Sequence, residues 1–259
     1  MNHCVHLQNI CVTAGHQRLL EIADLRIANG ERVAIIGPNG AGKSTLLRLV
    51  GGLLPPQQGR VDLLGQTLAP DAPVDLRQQI GHIMQGLHLV PRLDARENVL
   101  IGALARVPGW RSYLRLFPAH EVRAAEQALR EVGMLPRAHV RSDRLSGGER
   151  QKVAIARLLI QAPRLILADE PTAALDPAAS RDVCRLLVKA SRQATLICVV
   201  HNPTLLPLLV QRVIGLKQGR IEFDLPLSAL SEAHLTRLYQ SGMPHANSGD
   251  HIAQPAQTA

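Results

Sequence analysis

Two short stretches hold residues whose types and spacing could do phosphate chemistry. The first, Gly37-Pro38-Asn39-Gly40-Ala41-Gly42-Lys43-Ser44-Thr45, fits G-x-x-x-x-G-K-[ST] at Gly37, Gly42, Lys43 and Ser44. It follows an apolar run, Val33 to Ile36, and opens a helical pattern, which is the context that a phosphate loop needs. Glycines let successive backbone N–H groups converge on one anion at a helix N-terminus. Asn39 and Gly40 supply the tight turn, Lys43 adds a positive charge near the β- and γ-phosphates, and the Ser44 hydroxyl can ligate Mg2+. Thr45 reinforces the cradle. The second stretch, Leu165-Ile166-Leu167-Ala168-Asp169-Glu170, is a strand-like apolar run ending in two carboxylates. A carboxylate at the C-terminal end of a parallel strand points into the crevice where ligands bind. There Asp169 would hold Mg2+ through water, and Glu170 would polarise the attacking water as a general base. Alone, such a pair can equally cap a helix. Beside a phosphate loop it reads as nucleotide hydrolysis.

These groups must be positioned by alternating elements. The runs at 3–12 and 19–27 read as strands closed by the turn Ala28-Asn29-Gly30-Glu31, and Arg32 to Ile36 as the strand feeding the loop. The helix opened by Lys43 is expected to run until Pro55-Pro56 stops it, with a further strand from Arg60. From about Leu87 to Ile160 the pattern is helical, clearest in Ala119 to Met134, where Ala125, Leu129 and Val132 share one side. Two more strand-length runs follow, Arg164 to Asp169 and Thr195 to Val200, separated by a helical segment. Such alternation implies a parallel sheet covered by helices. A closing hairpin is expected around Gln218-Gly219.

The chain of 259 residues, 46% hydrophobic, is long enough for one large core with an inserted subdomain. No apolar run approaches membrane-spanning length, and the N-terminus does not have the pattern of a signal peptide, so a cytoplasmic protein is expected. Cys4, Cys11, Cys184 and Cys198 show no pairing or metal-ligand spacing and read as reduced, structural thiols. The charge of +8 could favour nucleic acid, anionic lipid or a nucleotide. Its even spread, with no nucleic-acid signature, favours a generally basic surface and no nucleic-acid partner.

Between the two phosphate stretches stands Leu145-Ser146-Gly147-Gly148-Glu149, which resembles the LSGGQ signature of ATP-binding cassette (ABC) ATPases. The order of motifs is that family's order, and the resemblance covers residues 3 to about 241. It implies an α/β fold: a RecA-like P-loop NTPase core with a parallel sheet, an N-terminal antiparallel β part and an inserted helical subdomain. The expected division is one ABC ATPase domain over 1–241, with the subdomain at about 86–158, and a polar, disordered tail over 242–259. The resemblance further places Gln85 as the glutamine contacting metal and nucleotide, Ala174-Leu175-Asp176 as the D-loop, and His201 as the switch histidine near the γ-phosphate. Catalysis then falls to Glu170, His201 and Lys43, and the metal to Ser44, Gln85 and Asp169. ATP would lie on Gly37 to Thr45 of one subunit and on Ser146, Gly147 and Gly148 of a head-to-tail partner. Ser146 can itself cap the helix beginning at Gly147, turning its N-terminal dipole toward a phosphate; an ordinary capped helix start is the plainer reading.

Two residues depart from the family's pattern. Glu149 replaces Gln, and Ser146 with Glu149 makes a capping box, at an expected electrostatic cost to the γ-phosphate in trans. Ala14 stands where the family usually has an adenine-stacking aromatic, with His16 the nearest π-system, so weak preference for ATP over GTP is expected. One lost stacking contact corresponds to about 1–3 kcal/mol.

A single cassette without a coiled-coil insert resembles the separate ATPase subunit of a prokaryotic transporter, and the region from Val90 to Met134 is similar to phosphonate-importer ATPases. The resemblance implies a peripheral subunit on the cytoplasmic face of the inner membrane. Its partners would be a second copy, permease subunits and, indirectly, a substrate-binding protein. Gly86 after Gln85 and the Val-Val-His context of His201 differ from that group, leaving phosphite or another substrate open, as is a soluble regulatory role. Three of the chain's five aromatics, Trp110, Tyr113 and Phe117, fall in one basic segment of this region. They read either as a small satellite core or as a face for the permease.

Overall fold

Alternate residues of the central strands face opposite ways, and both faces are buried. In a computed structural model describing residues 3–15, 17–68, 74–84, 87–113 and 116–240, Val33 and Ile35 enter one core and Ala34 and Ile36 the other. Leu165 and Leu167 likewise oppose Ile166 and Ala168, as Ile197 and Val199 oppose Leu196 and Cys198. That period-two pattern, apolar on both sides, is what a sheet covered on each face demands.

The elements in chain order are β1 (His3–Ala14), β2 (Gln17–Ala28), β3 (Arg32–Ile36), α1 (Lys43–Val50), β4 (Gln58–Leu63), β5 (Gln66–Thr67), α2 (Val74–Gln78) and β6 (Ile80–Ile83). Then come α3 (Ala95–Leu100), α4 (Gly109–Tyr113), α5 (Ala119–Glu131), α6 (Gly147–Gln161), β7 (Leu165–Asp169), α7 (Pro177–Ala190) and β8 (Thr195–Val199). The chain continues through α8 (Leu206–Leu209), β9 (Arg212–Lys217), β10 (Arg220–Pro226) and α9 (Glu232–Tyr239). One sheet has the order β10-β9-β3-β8-β7-β6, parallel except for the β9–β10 hairpin. The other, β2-β1-β4-β5, is antiparallel throughout. Between them lies one core, with α1; the other core joins the opposite face of the parallel sheet to α3, α5, α6 and α7.

The α/β class, the antiparallel N-terminal part and the closing hairpin agree with the sequence reading. Three local expectations change. Helix α1 ends at Val50, before the prolines, because Gly51-Gly52 leaves the helix first and Gly52 takes φ 68°. Strand β6 lies in a segment that does not read as a strand, being short and containing Gly81 and His82. It pairs in parallel with β7, and Gly81 lets α6 approach its face, since a side chain there would stand 2.5 Å from Leu158. Trp110 is no satellite core: it is 61% exposed, with Arg111 over its ring at 5.3 Å. Phe117 does pack against the core, and the side chain of Tyr113 lies outside the described residues. So do Gln85, Gly86, His16 and the tail 242–259. Ala125, Leu129 and Val132 are all buried, and Cys4, Cys184 and Cys198 are buried free thiols.

Candidate functional site

The loop between β3 and α1 is shaped by close approach. A side chain at Gly37 would stand 2.1 Å from the Leu216 carbonyl oxygen, and one at Gly42, with φ 100°, would stand 2.8 Å from that of Leu19. Strands β9 and β2 thus press directly on the loop. Ala41 is buried beneath it. Lys43 is only 6% exposed, and its Nζ donates to the Gly37 and Pro38 carbonyls at 2.9 Å each. Burial pushes its pKa down, against the opposing pull of Glu170 and Asp169.

Asp169 ends β7, and Glu170 follows in the left-handed region at φ 51°. Asp169 is 5% exposed, and its carboxyl lies beside the Ser44 hydroxyl and within the fields of Lys43 and Glu170. Its Oδ1 is buried without a hydrogen-bond partner. Burial raises its pKa, outweighing the help of Ser44 and Lys43. An orphaned carboxylate oxygen beside a hydroxyl, both hard oxygen donors, fits Mg2+ completed by phosphate oxygens and water. Among the described residues no three His, Cys, Asp or Glu gather to hold a metal by themselves.

Parallel pairing of β7 with β8 sets Asp169 opposite Val199, so Glu170 and His201 leave the sheet at the same edge. His201 Nε2 lies 2.6 Å from Glu170 Oε1. Sheet order alone brings together residues that are far apart in the chain.

Ser146 caps α6: its hydroxyl accepts from the Glu149 N–H at 3.2 Å, and Glu149 Oε2 accepts from the Ser146 N–H at 2.8 Å. Arg137 Nε lies 3.3 Å from Glu149 Oε1. The Ser146 N–H holds the Glu149 carboxyl below the usual range, and Arg137 adds to this. Ser146 and Gly147 are exposed. Asp176 caps α7, accepting from Ala178 and Ala179 at 2.9 Å each.

One cavity of ≈ 460 Å³ gathers Asn39, Gly40, Gly42, Lys43, Ser44, Thr45 and Glu170. Gly37 and Pro38 are not in its lining, but their carbonyls hold Lys43. Ser146, Gly147 and Gly148 are not in its lining; Gly147 instead borders a second cavity of ≈ 570 Å³ that reaches Asp169 and Glu170. Ala14 is not in the first cavity's lining either. Its remaining wall is Gln17, Arg18 and Leu19 of β2, with Gln218 and Gly219 of the β9–β10 turn. Sequence reading missed this wall, since no spacing links these residues to the loop.

The model of the family described as "ABC transporter" matches residues 20–173. The chain is 42% identical over 230 residues to the phosphonates import ATP-binding protein PhnC of Wolinella succinogenes, covering 87% of this chain and 84% of that protein. It is 42% identical over 242 residues to the protein of the same name from Chromohalobacter salexigens, covering 91% and 89%. Among solved structures it resembles the dimeric, post-hydrolysis ATP-binding cassette MJ0796 bound to ADP and Pi. That match has a TM-score of 0.75 and 31% identity, and covers 87% of this chain and 100% of that one. It also resembles cbiO1 of Clostridium perfringens, part of the cbiONQ ABC transporter complex, with TM-score 0.78, 26% identity and coverage of 92% and 94%.

Proposed function

The chain belongs to the ABC transporter family and is an ATPase, and from that premise we propose that it drives uptake of phosphonate or a related phosphorus oxyanion. The observation that carries the hydrolytic chemistry is the buried Asp169 Oδ1 without a partner, beside Ser44 and facing the Lys43 site. Ser44 and Asp169 would hold Mg2+ there, with Gln85 as a further ligand. When bound, the cation offsets charge on the β- and γ-phosphates. Lys43 exchanges its two loop carbonyls for phosphate oxygens. Glu170 accepts the proton of the attacking water, and His201, already against Glu170 Oε1, orients that carboxylate.

No helix of the described residues is long and apolar enough to cross a membrane. In keeping with its import-ATPase relatives, the subunit works against separate permease subunits, on the cytoplasmic face of the inner membrane, as a head-to-tail pair. The exposed signature supports this pairing: Ser146, Gly147 and Gly148 stand outside the phosphate-loop cavity of their own chain and are free to close on a second copy's nucleotide. Exposed Trp110, Leu104 and Leu116 supply apolar anchors for a permease helix.

The test is growth of a host lacking this gene on a phosphonate as sole phosphorus source. Wild type restores growth, and Glu170→Gln does not. Growth without the gene, with the loss appearing on another solute, would overturn the phosphonate assignment. Failure of the purified protein to hydrolyse Mg-ATP would overturn the chemistry.

A further inference from the structure

A nucleotide seated on the phosphate loop must direct its base toward whatever closes the rest of the cavity. That wall is Gln17, Arg18 and Leu19 on one side and Gln218 with Gly219 on the other. Among the described residues it contains no aromatic ring. It is nonetheless fixed against the loop: Gly219 N–H donates to Ala41 O at 3.0 Å, and Glu21 N–H donates to Gly219 O at 2.8 Å. The Leu19 carbonyl abuts Gly42. Arg18 is therefore held one residue from a strand position that touches the loop itself.

Among the described residues of this lining, Arg18 is the one cationic side chain besides Lys43. Its Nη1 bonds Glu21, and Arg220 grips the same carboxylate through Nε at 3.1 Å and Nη2 at 2.7 Å. The guanidinium is thus tethered at one edge. With the side chain 55% exposed, its flat face remains available. A planar, delocalised cation stacks on an aromatic face without reading its edge groups. The neighbouring Gln17 and Gln218 carry amides that can both donate and accept, so neither selects one purine.

We infer that Arg18 is the base-stacking residue of this ATPase, taking by its guanidinium plane the place that a ring would fill. The inference rests on the nucleotide reading proposed above. It makes the site a general purine site, with ATP and GTP bound alike and pyrimidine triphosphates, with their smaller rings, bound more weakly.

Equilibrium binding of ATP, GTP, CTP and inorganic tripolyphosphate, each with Mg2+, tests this on the full chain. Arg18→Ala should weaken ATP and GTP about tenfold while leaving tripolyphosphate unchanged. Arg18→Lys, which keeps the charge without the plane, should behave as the alanine variant does. Arg18→Tyr should restore affinity. Equal losses for ATP and tripolyphosphate would show a charge effect on the phosphates and overturn the inference. So would an unaltered ATP affinity in Arg18→Ala, or the same tenfold loss in His16→Ala with Arg18 intact. A wild-type protein that binds neither ATP nor tripolyphosphate would instead overturn the nucleotide reading itself.

Discussion

Replacing Asp169 by Asn should stabilise the nucleotide-free protein while disabling it. The carboxyl is almost wholly buried, its Oδ1 has no hydrogen-bond partner, and burial drives its pKa up despite Ser44 and Lys43. An isosteric amide keeps the shape and removes the buried charge. The amide still leaves a neutral polar atom without a partner, so what is relieved is the extra desolvation of the charge, about 1–2 kcal/mol. For a domain of this size each kcal/mol moves the melting temperature by about 2–4 °C, giving a rise of about 2–8 °C in chelator at pH 7. The pH dependence has a definite sign. A carboxyl whose folded pKa is raised binds more protons folded than unfolded, so wild-type stability falls as pH climbs from the ordinary aspartate range through the folded pKa. The advantage of the Asn variant is therefore largest at neutral pH and vanishes below about pH 4. Mg-ATP reverses the order: ligand at a hundred times its Kd protects the wild type by about 2.7 kcal/mol, and the variant gains far less. Thermal melts with chelator or Mg-ATP, at several pH values, read all of this. A variant no more stable than wild type in chelator at pH 7, or an advantage that grows on acidification, would refute the reasoning.

Three further outcomes follow from particular contacts. Gly37→Ala places a methyl 2.1 Å from the Leu216 carbonyl oxygen, a backbone atom that cannot swing away. A loss of more than about 2 kcal/mol in urea unfolding is expected, with ATP binding lost too. Glu149→Gln removes an ion pair to Arg137 and a carboxylate at a helix N-terminus, so about 0.5–1.5 kcal/mol should be lost at pH 7. Because the folded pKa of Glu149 is depressed, that difference should fade as pH falls through it, while ATP turnover rises as charge facing the partner's γ-phosphate is removed. Trp110→Ala should change stability by less than about 0.5 kcal/mol and spare basal ATPase activity, since the ring is mostly exposed, yet uncouple transport. A fall in melting temperature of more than about 5 °C would instead return Trp110 to a packing role.

The sequence by itself determined what short-range backbone demands encode. The run from Gly37 to Thr45 specifies a turn, converging N–H groups and a helix start within a few residues. Ser146 with Glu149 likewise specifies a helix cap that forms as read. Unbroken apolar runs in Val33 to Ile36 and in Leu165 to Ala168 announce strands, and both faces of each are buried. The apolar lining of Ala119 to Met134 is equally local. Tertiary structure alone decided the rest, because those contacts depend on which strands become neighbours. Pairing β7 with β8 put His201 against Glu170, and packing β2 and β9 on the phosphate loop made Arg18 and Gln218 part of one cavity. Strand β6 has too few β-forming residues to announce itself; it pairs in parallel with β7, and Gly81 lets α6 approach its face. Whether Trp110 faced inward or outward was likewise not encoded in its spacing, since a cluster of rings can stabilise either a core or an interface. Only the surrounding helices, which leave it 61% exposed, turned it to the surface.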